Sequence, residues 1–244
     1  MKIVRHIPNT ITSMNLLCGV LGVIAAFDGR PDVAFYLMLA ASVFDFFDGL
    51  SARALNAYSA IGKELDSLAD LVSFGLLPAI MLNRLMAGLA GNGILCYIPL
   101  VIAVFSALRL AKFNVDERQC ENFIGLATPA NAIFCGALVH YVNSVPDSFL
   151  AEWVAGGVFL PVLSVIMSLM LVSELPMFSL KFKKGQKKDT VIYKLRFGFI
   201  ALCLAVSLLV LLLRLKFSMI FILAVAIYII MNIVNYISVK RARI

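Results

Sequence analysis

Long apolar runs separated by short polar breaks dominate the chain. Eight of them approach the roughly 20 residues that a helix needs to cross a bilayer: 11–27, 33–55, 64–86, 94–112, 129–145, 153–175, 195–213 and 217–239. The fifth is short. The pattern predicts an all-α polytopic membrane protein, a single domain over residues 1–244. Its bundle of about eight transmembrane helices encloses a polar cavity facing the cytoplasm, and the last two helices, about 195–239, are peripheral.

The polar positions that interrupt the second and third runs carry the chemistry. Asp45 and Asp48 stand three apart on one helix and Asp66 and Asp70 four apart on the next, so each pair shares a helix face. If the polar segment 56–63 reverses the chain, the two faces meet and four carboxylates converge at the mouth of a hairpin. An ionised aspartate is costly in apolar surroundings and persists only with a partner or a metal. Ion pairing alone falls short here, because Arg53 and Lys63 face these four acids and Glu64 as well. Oxygen-only ligands suit hard divalent cations such as Mg²⁺, Mn²⁺ or Ca²⁺, and two ions could share them. Gly49 and Ala52 remove bulk beside the acids, Gly62 lies one turn before Asp66, and Arg53 offers a planar fork for phosphate. Together these residues describe pyrophosphate chemistry.

Composition sharpens the membrane assignment: 62% of residues are hydrophobic and 14% charged, with a mean hydropathy of +0.97, more apolar surface than a soluble domain can hide. With eight crossings, all of the 21 Lys and Arg except Arg30, Arg84, Arg214 and Lys216 fall on one side, which the positive-inside rule makes cytoplasmic. A seven-helix reading would separate the basic cluster 181–188 from the 45–70 hairpin. That cluster, Lys-Phe-Lys-Lys-Gly-Gln-Lys-Lys, reads as an orientation determinant and a contact for anionic headgroups. No aromatic-interleaved basic domain surrounds it, which excludes a nucleic-acid partner. Five cysteines without a C-x-x-C spacing read as free thiols, and His6 and His140 lack acid or cysteine neighbours at metal-ligand spacing. The basic, then apolar N-terminus has no small-residue cleavage signal after Ala26, so the first run is expected to remain as a helix.

Two further segments carry polar groups at run ends. Pro8-Asn9-Thr10-Ile11-Thr12, with Asn15 and Gly19 beyond, reads as a helix start. Arg109 and Lys112 present two positive charges on one helix face, which spacing alone assigns to snorkelling at the interface.

The pattern Asp-x2-Asp-Gly-x2-Ala-Arg-x8-Gly-x3-Asp-x3-Asp, filled by Asp45, Asp48, Gly49, Ala52, Arg53, Gly62, Asp66 and Asp70, resembles the signature of the CDP-alcohol phosphotransferases. These membrane enzymes move a substituted phosphate from a CDP-linked donor to an alcohol. Arg109-Leu110-Ala111-Lys112-Phe113-Asn114, Phe123-Ile124-Gly125-Leu126-Ala127-Thr128-Pro129 and Leu169-Met170-Leu171-Val172-Ser173 resemble segments of the bacterial phosphatidylserine synthase branch. There are three departures: Lys112 for an arginine, Ala127 for a proline, and Leu171 interrupting the last motif. The likeness extends over residues 7–173.

The resemblance implies two divalent cations, Mg²⁺ or Mn²⁺ with Ca²⁺ as a non-catalytic occupant, held by Asp45, Asp48, Asp66 and Asp70, with Asp70 also the general base. It implies CDP-lipid contacts at Asn9, Thr12, Gly49, Ala52, Arg53, Ser59 and Gly62, and serine contacts at Arg109, Lys112 and Asn114. The expected substrates are CDP-diacylglycerol and L-serine, in contact with membrane lipids. The expected location is the cell membrane, multi-pass, with the active site facing the cytoplasm; the sequence leaves a homodimer open. Glycerol 3-phosphate or inositol phosphate as acceptor is the alternative within the same chemistry. A divalent-cation transporter is the alternative outside it, and it gives Gly49, Ala52 and Arg53 no job.

Overall fold

The computed structural model describes residues 6–91, 93–116, 123–178 and 191–241; the basic cluster 181–188 and Cys120 lie outside them. Helix α1 (Ile7–Phe27) and helix α2 (Pro31–Ala54) each begin with proline in the first turn, where its missing N–H costs nothing. A turn with Gly29 in the left-handed region joins them. After a loop at 55–59, Ser59 caps α3 (Ala60–Asp70) by accepting from the Gly62 backbone N–H at 3.0 Å. The chain then passes through a π-helical turn, Leu71–Leu76, into α4 (Leu77–Ala90), forming one continuous rod from Ala60 to Ala90.

A 3₁₀ stretch, Ile94–Leu100, leads into α5 (Val101–Val115), and α6 (Thr128–Ser144) is followed by α7 (Phe149–Ala155) and α8 (Phe159–Val172). The last helices are α9 (Val191–Leu212) and α10 (Ser218–Arg241). Short strands β1 (Phe123–Ile124) and β2 (Pro176–Met177) pair antiparallel and tie the start of α6 to the end of α8. Gly125 makes this closure possible: its φ is +77°, and a Cβ there would lie 2.6 Å from the Leu171 carbonyl oxygen.

Among the described residues, six helices are long and apolar enough to cross a membrane, seven when α7 and α8 count as one broken span. The chain is a multi-pass membrane protein. Eight runs were expected, and the difference is local. The fifth run becomes α6, 17 residues long and buried along most of its length among α2, α4 and α10. The sixth run bends by 95° between α7 and α8, where Gly157 sits at φ +76°.

Helix α1 lies against both α2 and the α3–α4 rod, whereas α2 and α3 barely touch each other. Small residues permit the close approach expected between membrane helices. A Cβ on Gly19 would lie 2.5 Å from Ser73 Oγ, and one on Gly22 would lie 2.6 Å from Leu77 Cδ2. The fully buried apolar core, including Phe35, Met38, Phe74, Leu77, Met81 and Leu138, fills the middle of the bundle. At the end away from the signature, His140 meets Ser218 Oγ at 3.0 Å and Asp32 at 3.8 Å, packed beside Phe35 and Phe217. The last two helices differ from each other: α10 packs along α6, while most of α9 faces outward.

Candidate active site

The signature residues gather at one end of the bundle, where α1 begins, α2 ends and α3 begins. Carboxylate oxygens of Asp45, Asp48 and Asp66 lie within 4.8 Å of one another. Asp48 is buried and the other two half-buried. Thr12 Oγ1, from α1, donates to Asp48 Oδ2 at 2.7 Å. Asp66 Oδ1 is buried without a hydrogen-bond partner among the described residues. A cluster of three oxygen-bearing side chains with an orphaned, inward-facing lone pair fits a hard divalent cation.

Asp70 stands one turn deeper than Asp66 and outside that cluster. Its Oδ1 accepts from Asn15 Nδ2 at 3.2 Å, and its carboxylate feels the charges of Asp45, Asp66 and Asp48. Asn15 is fully buried and is itself braced, its carbonyl accepting from Ser73 Oγ at 3.0 Å. The π-helical turn begins immediately after Asp70, a local rearrangement often found where a helix serves a site.

The expected hairpin therefore meets through its carboxylate side chains, with α1 packed against both of its helices. The space between α2 and α3 forms a cleft of about 200 Å³ lined by Asn9, Thr12, Asp48, Gly49, Ser59, Gly62 and Asp66. A side chain at position 62 would crowd the cleft: a Cβ on Gly62 would lie 2.9 Å from both Asn9 Oδ1 and Ser59 Oγ. Arg53 is exposed and folds back along α2, its Nη1 about 3.7 Å from where a Cβ on Gly49 would be. Ala52 contributes its carbonyl, which accepts from Ala57 N–H at 3.0 Å and closes the loop.

The three α5 candidates separate. Arg109 is buried, donates from Nη1 to Thr128 Oγ1 at 2.9 Å, and lies 5.5 Å from the Phe113 ring centre. The Asp70 charge acts on it electrostatically. Lys112 instead meets Glu174 at 3.8 Å on the exposed side of the helix. Asn114 clamps α3 from outside: its Nδ2 donates to Ser67 Oγ at 2.9 Å and its carbonyl accepts from Lys63 Nζ at 3.0 Å.

Sequence reasoning assigned no role to Asn15 or Thr128. Asn15 had a usable signal, a lone amide inside an apolar run. Thr128 had none, since its partner Arg109 lies 19 residues away. The far end of α10 also reaches this side: Asn232 Oδ1 accepts from Phe178 N–H at 2.8 Å, and Tyr228 Oη donates to the Phe178 carbonyl at 2.9 Å.

Three facing carboxylates, a cleft lined by two glycines and a buried arginine make this end of the apolar bundle its polar site. The CDP-alcohol phosphatidyltransferase family model matches residues 5–163, and the chain belongs to that family. Among its relatives is the CDP-diacylglycerol-serine O-phosphatidyltransferase of Bacillus subtilis, 38% identical over 126 residues, covering 51% of this chain and 70% of the relative. The enzyme of the same name from Mycobacterium tuberculosis is 34% identical over 178 residues, covering 70% of this chain and 60% of the relative. The archaetidylserine synthase of Methanothermobacter thermautotrophicus is 35% identical over 129 residues, covering 52% and 54%. The chain thus spans less than two thirds of the mycobacterial and archaeal relatives.

Proposed function

We propose that the protein transfers a phosphatidyl group from CDP-diacylglycerol to L-serine, giving phosphatidylserine and CMP, at the cytoplasmic face of the cell membrane. The observation that carries this reading is the sequence of groups from open cleft to buried interior: Asp45, Asp48 and Asp66 within 4.8 Å, then Asp70, then Arg109. The names of the relatives supply the acceptor. The end of the bundle that carries the signature also carries Lys63 and Lys112, in keeping with a cytoplasmic side.

Asp45, Asp48, Asp66 and Asp70, the last through the oxygen that Asn15 also contacts, would hold two divalent cations, Mg²⁺ or Mn²⁺. When bound, the cations neutralise charge on the donor pyrophosphate and on departing CMP. Asn9, Ser59, Gly49 and Gly62 admit and line the nucleotide, and Arg53, at the mouth, pairs with a donor phosphate. Thr12 fixes the Asp48 carboxylate by its hydrogen bond. Asn15 does the same for Asp70 Oδ1, leaving Oδ2 to accept the serine hydroxyl proton. The serine oxygen forms a new bond to the β-phosphorus, the bond from that phosphorus to CMP breaks, and the proton passes to Asp70. Arg109 pairs with the serine carboxylate.

The test is product analysis with purified protein offered CDP-diacylglycerol and Mg²⁺ or Mn²⁺, together with serine or with glycerol 3-phosphate. Phosphatidylserine and stoichiometric CMP from serine alone are expected. Phosphatidylglycerol phosphate as the main product would overturn the acceptor assignment.

A further inference from the structure

Behind Arg109 the interior contains polar groups that the packing does not satisfy. Lys112 faces Glu174, and α5 and α8 pack alongside each other. Ser106 lies one turn deeper than Arg109 on α5, about 4.5 Å at 1.5 Å per residue, and Ser168 lies on α8. Helix α6 runs the other way from Thr128, which Arg109 holds. Asn131 shares the face of Thr128 one turn on and reaches the same depth. The π-helical turn after Asp70 closes the remaining side, since a Cβ on Gly75 would lie 3.0 Å from Ser106 Cβ. Ser106, Asn131 and Ser168 are at most 1% exposed and Arg109 is 7% exposed. Among the described residues Ser106 Oγ, Asn131 Nδ2, Ser168 Oγ and Arg109 Nε have no hydrogen-bond partner.

Native interiors leave few polar side chains unsatisfied, and a membrane bundle has no water at its rim to compensate. Three such atoms, two on α5 and one on α6 a turn beyond the Arg109–Thr128 contact, call for a ligand with several acceptors. Among the described residues Asn131 Oδ1 accepts from the weak Cys135 thiol donor, at 3.8 Å, and Nδ2 has no partner. The geometry points to an acceptor subsite in which Asn131, with Arg109, binds the carboxylate of a small zwitterionic amino alcohol and so determines acceptor specificity. This rests on the transfer reaction proposed above. Arg109 Nε and Asn131 Nδ2 supply two N–H donors from different helices, a pair that a carboxylate satisfies and an uncharged alcohol does not. Discrimination follows from leaving those donors unpaired when the carboxylate is missing.

Bisubstrate kinetics test this with Asn131→Ala and the near-isosteric Asn131→Asp, which keeps the volume but replaces the donor with a repelling carboxylate. Size-exclusion profile and thermal unfolding in detergent identify variants that retain the fold. Asn131→Ala should raise the serine KM roughly tenfold or more with the CDP-diacylglycerol KM unchanged, and Asn131→Asp should raise it further. The preference for serine over ethanolamine, which lacks the carboxylate, should shrink in both. Combined with Arg109→Ala, Asn131→Ala should add less than its single effect, as expected for two groups on one ligand. An unchanged serine KM in both folded variants of a serine-using wild type overturns the subsite alone, as does a rise confined to the CDP-diacylglycerol KM. A wild type that makes no phosphatidylserine overturns the acceptor reading itself.

Discussion

The cleft between α2 and α3 and the interior beneath Arg109 are both polar regions in an apolar bundle, and they are built in opposite ways. The cleft is open, and its residues come from two consecutive helices plus the start of α1: Asn9, Thr12, Asp48, Gly49, Ser59, Gly62 and Asp66. Its carboxylates repel one another, and Asp66 Oδ1 has no hydrogen-bond partner among the described residues. The region beneath Arg109 is closed, draws on α5 and α6, and carries hydrogen-bond donors without partners among the described residues. One region is short of positive charge and the other short of acceptors. Asp70 belongs to both, tied to Asn15 on one side and acting on Arg109 on the other. A site that must bring a pyrophosphate and a carboxylate together gains from this division, because each anion meets only the partners suited to it.

The largest effect should come from removing the junction. Asp70→Asn should lower kcat by about 10²–10⁴-fold, the usual contribution of a positioned base, while the protein still folds and inserts. Single-turnover assays at saturating metal check it, and near-normal turnover would mean that Asp70 is not the base. Metal removal comes next. Chelation should abolish activity and Mg²⁺ or Mn²⁺ should restore it, since three carboxylates within 4.8 Å repel one another without a counter-charge. Full activity after exhaustive chelation would assign the carboxylates another use. The smallest effect should be that of Lys112→Ala. Its partner Glu174 is 76% exposed at a distance of 3.8 Å, and such surface pairs contribute about 0–1 kcal/mol. Serine and donor KM values should stay within about twofold of wild type. A collapse of serine binding would place Lys112 in the acceptor site after all.

The same contrast governs how much could be read from the sequence. The cleft was legible because its residues occupy one short window at helical spacing: Asp45, Asp48, Gly49, Gly62 and Asp66 fall on facing sides of adjacent helices. The facing of α2 and α3 was readable and three of the four carboxylates meet, but nothing in 45–70 reveals that α1 packs against both helices and holds Asp48 and Asp70 through Thr12 and Asn15. Asn15 was visible as a polar break whose partner, 55 residues away, was not. Thr128, Asn131 and Ser168 resemble ordinary small polar residues in apolar helices, and their meaning depends on which helices pack together. The membrane runs were similarly legible as runs, but not the 95° bend at Gly157 or the burial of α6, since hydropathy does not distinguish lipid from protein as the apolar neighbour.

The division of labour itself is tested most directly by measuring both KM values in two variants side by side. Gly62→Ala puts a Cβ 2.9 Å from Asn9 Oδ1 and Ser59 Oγ and disturbs only the cleft. Arg109→Ala removes a charged donor from the interior, worth about 1.5–3 kcal/mol and so roughly tenfold to 150-fold in KM. The account predicts a crossed pattern: Gly62→Ala raises the CDP-diacylglycerol KM and leaves the serine KM alone, and Arg109→Ala does the reverse. Both substitutions raising the KM of the same substrate would contradict it.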